Sequence, residues 1–189
     1  MRKIFVTILL VAGIAFTSNA QTKNMAVGAD FVVSIPIGGL SDNAKVGFGG
    51  LGSFEYALMP QLVGIGQIGY ITWGTDVANA SFHVVPIVVG AKYFFTPGVG
   101  FYGISQLGLA ILSASVSVAI PSYTIGGVTY GGGTVGGSGS STEFSFAVGA
   151  GYELPVSPNV DLDFSALFNL ITNDANNIQI RAGGKFALN

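Results

Sequence analysis

The chain has 189 residues, half of them apolar, with seven basic and nine acidic side chains and no cysteine. So few cations exclude a basic nucleic-acid surface, and the missing thiols exclude a disulfide scaffold or a cysteine-based metal site. Glycine or polar residues interrupt every apolar stretch of about 18 residues beyond the N-terminus, which argues against membrane helices.

Residues 1–20 have the form of a secretory leader. Arg2 and Lys3 precede an apolar run from Ile4 to Phe16, and Ser18-Asn19-Ala20 supplies a small-residue cleavage site. The expectation is an exported protein whose single domain spans residues 21–189. Without disulfides, such a domain is held by burial or by closure of its own sheet.

The rest alternates with period two, the signature of strands. In residues 25–34, Val27, Ala29, Phe31 and Val33 oppose Gly28, Asp30 and Ser34. A loop rich in turn formers follows at 35–45. Residues 46–58 set Phe48, Phe54, Tyr56 and Leu58 against Ser53 and Glu55, and Met59-Pro60-Gln61 makes a tight reversal. Residues 62–73 place Gln67 opposite Ile68 and Tyr70, and 74–80 is a second longer loop. Residues 81–95 carry Val85, Ile87, Val89 and Tyr93 on one face and Lys92 on the other, ending at the short turn Thr96-Pro97-Gly98. In 99–112, Leu107, Leu109 and Ile111 oppose Gln106, after which Ser113, Ser115 and Ser117 take over the formerly apolar positions.

Residues 113–141 are the longest low-complexity stretch, rich in glycine and serine. Residues 142–154 then show Phe144, Phe146, Val148 and Tyr152 against Glu143, Ser145 and Glu153. A short turn at 155–159 leads to 160–170, with Phe164 and Phe168 opposite Asp161 and Asp163. After a loop at 171–177, the last strand (177–188) sets Ile178, Ile180 and Phe186 against Gln179, Arg181 and Lys185.

Eight strands and no helix emerge, joined by connections that alternate between long (35–45, 74–80, 113–141, 171–177) and short (59–61, 96–98, 155–159). Short turns at one end and long loops at the other are the habit of outer-membrane barrels. A soluble barrel would hide the aromatic-rich face, whereas here the opposite face carries small and charged side chains suited to a narrow lumen. The predicted fold is an all-β, eight-stranded antiparallel up-and-down transmembrane barrel.

The run Phe82-His-Val-Val-Pro-Ile-Val-Val-Gly-Ala-Lys-Tyr-Phe-Phe, with Thr96-Pro-Gly and Phe101-Tyr-Gly-Ile-Ser-Gln-Leu-Gly-Leu, resembles the small outer-membrane β-barrel domain family. These are porin-like, eight-stranded proteins of the OmpX/OmpW type. The resemblance is one of pattern across the mature chain. It implies a bacterial outer membrane of the Gram-negative type, contact with its lipid, and insertion by the barrel-assembly machinery. Such barrels often end on an aromatic residue read by that machinery, whereas Phe186 is followed here by Ala187, Leu188 and Asn189.

The inward face predicts a polar lumen network of Asp30, Glu55, Gln67, Lys92, Gln106, Glu143, Glu153, Asp161, Asp163, Arg181 and Lys185, with Lys185 opposite Asp161 or Asp163. Buried charges must pair or be hydrated, so the network reads as a structural plug. A narrow small-solute channel is the alternative. A lipid-modifying enzyme ranks third, because the single histidine, His83, shares the lipid-facing side with Ser81 and no nearby acid. No cofactor or metal is expected, and the barrel is expected to be a monomer. Residues 113–141, with Tyr123 and Tyr130, are the candidate contact for a surface ligand. Strand character running on past Leu112 predicts a hairpin projecting from the membrane, with a mobile loop as the competing expectation.

Overall fold

The computed structural model describes residues 24–42, 44–75, 79–96 and 100–188. The predicted leader, the middle of the Thr96-Pro97-Gly98 turn and the chain's last residue lie outside them. Eight antiparallel strands close into one barrel: β1 (Met25–Pro36), β2 (Gly47–Met59), β3 (Leu62–Trp73), β4 (Ala80–Phe94), β5 (Gly100–Ile125), β6 (Val128–Ser157), β7 (Val160–Ile171) and β8 (Asn177–Leu188). Each strand pairs with its sequence neighbours. β8 seals the ring against β1 in an unbroken register from Met25↔Leu188 to Pro36↔Asn177. Closure leaves no strand edge inside the barrel wall, which a chain surrounded by lipid requires.

Alternation sets the two faces. Phe31, Phe48, Phe54, Ile68, Leu107, Phe144, Phe164 and Phe168 all point outward and are exposed. Glu55, Gln67, Lys92, Gln106, Glu153, Asp163, Arg181 and Lys185 point inward and are buried. A soluble protein inverts this distribution. Register shifts at Ala57/Met59 and Pro155/Ser157 fall beside two of the short turns, where a bulge lets the strands reverse tightly.

Residues 113–141, read above as the longest connection, are mostly strand. β5 and β6 continue past the barrel rim as one two-stranded ribbon, in register from Ser113↔Ser140 to Ile125↔Val128. Gly126 (φ +61°) and Gly127 (φ +82°) make the turn, the pair of positive φ values that a two-residue hairpin favours. Composition concealed a strand pattern here: serine alternates with Ala114, Val116 and Val118 at the same period of two.

The pairing runs through the rim without slipping, so the backbone keeps its faces and only the sequence inverts. Ala110 and Leu112 point into the barrel, and Ala114, Val116, Val118 and Ile120 continue that inner face above it. Ser113, Ser115 and Ser117 continue the outer face that Leu107, Leu109 and Ile111 line below. The outer face thus switches from apolar to polar at this level.

Candidate functional site

Inward side chains form three layers in the lumen. Nearest the short turns, Lys92 of β4 donates to Glu55 Oε1 of β2 and Asp163 Oδ2 of β7, each at 2.7 Å. Lys185 of β8 pairs with the same Asp163 oxygen at 2.7 Å, with Glu55 at 3.3 Å, and with Glu153 of β6. The Tyr102 hydroxyl of β5 donates to the other Asp163 oxygen at 2.5 Å, and Lys92 Nζ lies 4.6 Å from the Tyr102 ring centroid. Two ammonium groups held among three carboxylates, with the Tyr102 hydroxyl, thus tie six strands together. Each of these buried charges has at least one partner of opposite sign, the condition under which burial of charge is tolerable.

Above lies an amide layer built on Arg181 of β8. Its guanidinium donates to Gln179 (2.6 Å), Gln67 (2.8 Å) and Gln106 (3.3 Å), while Gln106 Nε2 donates to Gln67 Oε1 at 2.6 Å. Gln67 Nε2 reaches Asp30 at 3.4 Å. Towards the long loops the lumen turns apolar. Val32, Leu51, Ile71, Trp73, Val84, Ala110, Leu112 and Ile171 pack with Leu40, Ala44 and Ala175 from the loops. Trp73 Nε1 donates to Ser34 Oγ at 3.0 Å, so the ring's polar edge is satisfied. Polar side chains stand among them: Ser145 Oγ donates to Asn169 Oδ1 at 2.9 Å, and Asn177 opposite Asn169 is buried. The loops fold inward and supply the apolar layer with Leu40, Ala44 and Ala175.

Two predicted members stand outside the network. Glu143 sits near the rim, accepting from Thr172 Oγ1 and Asn173 Nδ2 at 2.6 Å each. Asp161 faces Lys185 in register, yet among the described residues the Lys185 ammonium pairs with Glu55, Glu153 and Asp163 instead. Tyr102 and Gln179 belong to the network and were not singled out from sequence. Their inward parity, shared with Gln106 and Arg181, was the available signal. His83 lies on the outer wall, stacked on Tyr70 at 5.2 Å.

At the rim, Gly39 N donates to Asp174 Oδ2 at 3.0 Å and Ile37 N to Asn176 O at 3.0 Å, clasping the first long loop to the last. Between this clasp and the base of the hairpin opens a bowl of about 1030 Å³, lined by Leu40, Phe82, Leu112, Val116, Gly137 and Asp174 among others. Above it the ribbon stands free. β4 follows β5 only to Val116, and β7 pairs with β6 only from Ser145 downward. Tyr123 and Tyr130 face each other across the ribbon in register, but their side chains lie outside the described residues.

This closed ring, inverted in polarity, is matched by solved structures that share little of its sequence. Ail, the attachment invasion locus protein of Yersinia pestis, is 14% identical with a TM-score of 0.56, covering 87% of this chain and 97% of Ail. Neisserial surface protein A is 20% identical with a TM-score of 0.53, covering 90% and 100%. The fold is that of a small outer-membrane β-barrel. OprG of Pseudomonas aeruginosa, at 9% identity and a TM-score of 0.52, covers 87% of this chain and 96% of its own. No protein-family model matches the sequence, and no curated protein does. At these identities the likeness concerns architecture, so function has to be argued from this chain's own residues.

Proposed function

We propose that this chain is a non-enzymatic outer-membrane barrel whose lumen is a structural plug and whose projecting hairpin works at the cell surface as an interaction element. The leader at 1–20 would direct export, the barrel-assembly machinery would insert the domain, and the outward aromatic face would meet outer-membrane lipid. The observation that carries the reading is the hairpin itself. It continues the barrel wall beyond the rim, and no third strand pairs with either of its edges beyond Ser117 and Phe144 among the described residues. Free edges accept a further strand through backbone hydrogen bonds.

Ail has been solved with the heparin analogue sucrose octasulfate. No such polyanion is proposed here, because residues 113–142 contain no lysine or arginine with which to hold sulfates.

The test compares intact cells producing the full chain with cells producing a variant lacking residues 122–140. Heat-modifiable gel mobility serves to show that both barrels are folded. Adherence to a serum-protein coat should fall on deletion to the level of non-producing cells, and bound serum protein should protect residues 113–130 from added protease. Adherence unchanged by deletion, with rapid cleavage of that segment, would leave the hairpin without this role.

A further inference from the structure

The hairpin presents an apolar surface to open space. Its inner face carries Val116, Val118 and Ile120 from β5 and Val135 from β6, with Val118 59% and Val135 61% exposed. At the tip Ile125, 66% exposed beside the narrow Gly126–Gly127 turn, has the parity of the opposite face and is not part of this one. Water disfavours a contiguous apolar face of this kind, and such faces mark contact surfaces. The hairpin's own barrel does not cover it, since this face overlooks the bowl at the mouth.

We propose that the occupant is a second copy of this chain, presented from a facing membrane, and that the two hairpins pack inner face against inner face. This deepens the surface-interaction reading above and rests on it. Charge is the first argument for self-association. From Leu112 to Thr142 neither strand carries a charged residue or a histidine, so two copies meet without the like-charge repulsion that normally keeps identical surfaces apart. An apolar, uncharged face is complementary to itself, as an isologous contact requires.

Direction is the second argument. Two copies in one membrane point their hairpins the same way, and each inner face then looks over its own barrel mouth. Bringing the β6 edges together side by side fails as well. β7 occupies that edge from Ser145 downward, so a second barrel at strand spacing would overlap it. A copy from an opposing membrane descends into the open space over the mouth, where its hairpin can face this one. Its tip then reaches the bowl, whose apolar wall includes Leu40, Phe82 and Leu112. The hairpin projects about 40 Å along the strand, at roughly 3.3 Å per residue, so overlapping hairpins would hold two membranes about one hairpin length apart.

The test uses the full-length barrel in phosphatidylcholine vesicles, with clustering followed by light scattering. Vesicles carrying the wild-type protein should cluster with one another and not with protein-free vesicles. Because the contact is uncharged, clustering should persist at high salt. Val118 is exposed, so Val118→Lys and Val118→Asp should leave the barrel folded, as heat-modifiable mobility would show. Each variant alone should lose clustering through like-charge repulsion, and mixing the two populations should restore it in a salt-sensitive form. Clustering with protein-free vesicles would assign the face to lipid and overturn the proposal. So would the absence of wild-type clustering, or clustering indifferent to both Val118 substitutions. If clustering is absent while serum-coat adherence still depends on residues 122–140, the surface-interaction reading stands with a foreign partner. If both are absent, that reading falls too.

Discussion

Lys92 and Lys185 show how single residues hold this lumen together. Each is almost fully buried, and each bridges carboxylates on different strands, so removing one ammonium leaves the other alone among three carboxylates. Lys92→Met should therefore destabilise the folded barrel by roughly 3–5 kcal/mol, the cost of a buried negative charge that Lys185 alone does not compensate. Reversible urea titration in vesicles would measure this. A change near zero would mean that Glu55 and Asp163 are hydrated or paired elsewhere. On the outer wall, Phe164 is exposed near the middle of β7. Phe164→Arg should cost about 2–4 kcal/mol in the same titration, as a cation placed near the bilayer midplane does, and Phe164→Leu far less. Equal effects would remove Phe164 from the lipid-facing surface. These facing assignments were legible in the sequence because parity alone decides them. Which charge meets which was legible only in part. Of the two partners expected for Lys185, Asp161 stands opposite it in register and Asp163 takes the ion pair, while the reach of the long side chain to Glu153 and Glu55 lay beyond a strand-by-strand reading.

Among the elements, β5 and β6 depart most from expectation. The sequence marked the barrel strands well; β3 and β8 have the boundaries that alternation predicts. It marked residues 113–141 ambiguously, because glycine and serine there have the composition of a loop while their spacing is that of a strand; of the two expectations, projecting hairpin and mobile loop, the hairpin is the one that forms. The serine ladder beyond Leu112 was visible as a change of parity. Its meaning needed the register, which shows that the backbone does not shift and that the environment changes instead. An element held only by its partner strand adds little to closure of the ring. Deleting residues 122–140 should accordingly leave heat-modifiable mobility and the urea midpoint nearly unchanged. A large loss would mean that the hairpin nucleates the barrel. Gly183 is the opposite case, because a Cβ there would lie 2.1 Å from Asp30 Oδ1 and 2.3 Å from Ala29 O. Gly183→Ala should therefore weaken the β1–β8 seam measurably in the same titration, since backbone on the far side of the contact cannot turn away.

For the whole molecule, the question is whether a ring of eight strands encloses a passage. A barrel of this size has an interior that its own side chains can fill. Here the filling differs by level: ion pairs near the short turns, an arginine–glutamine layer above them, and an apolar layer with inturned loop residues under the mouth. A solute would have to disrupt all three. The purified protein in a planar bilayer should thus show no steady open channel. The variant lacking residues 122–140 should be equally silent, because none of the three layers draws on the hairpin above Val116. Reproducible large unitary currents from the wild-type protein would mean that the layers part and that solute passage is the barrel's work. Currents appearing only in the deletion variant would instead make the hairpin a cover for the mouth.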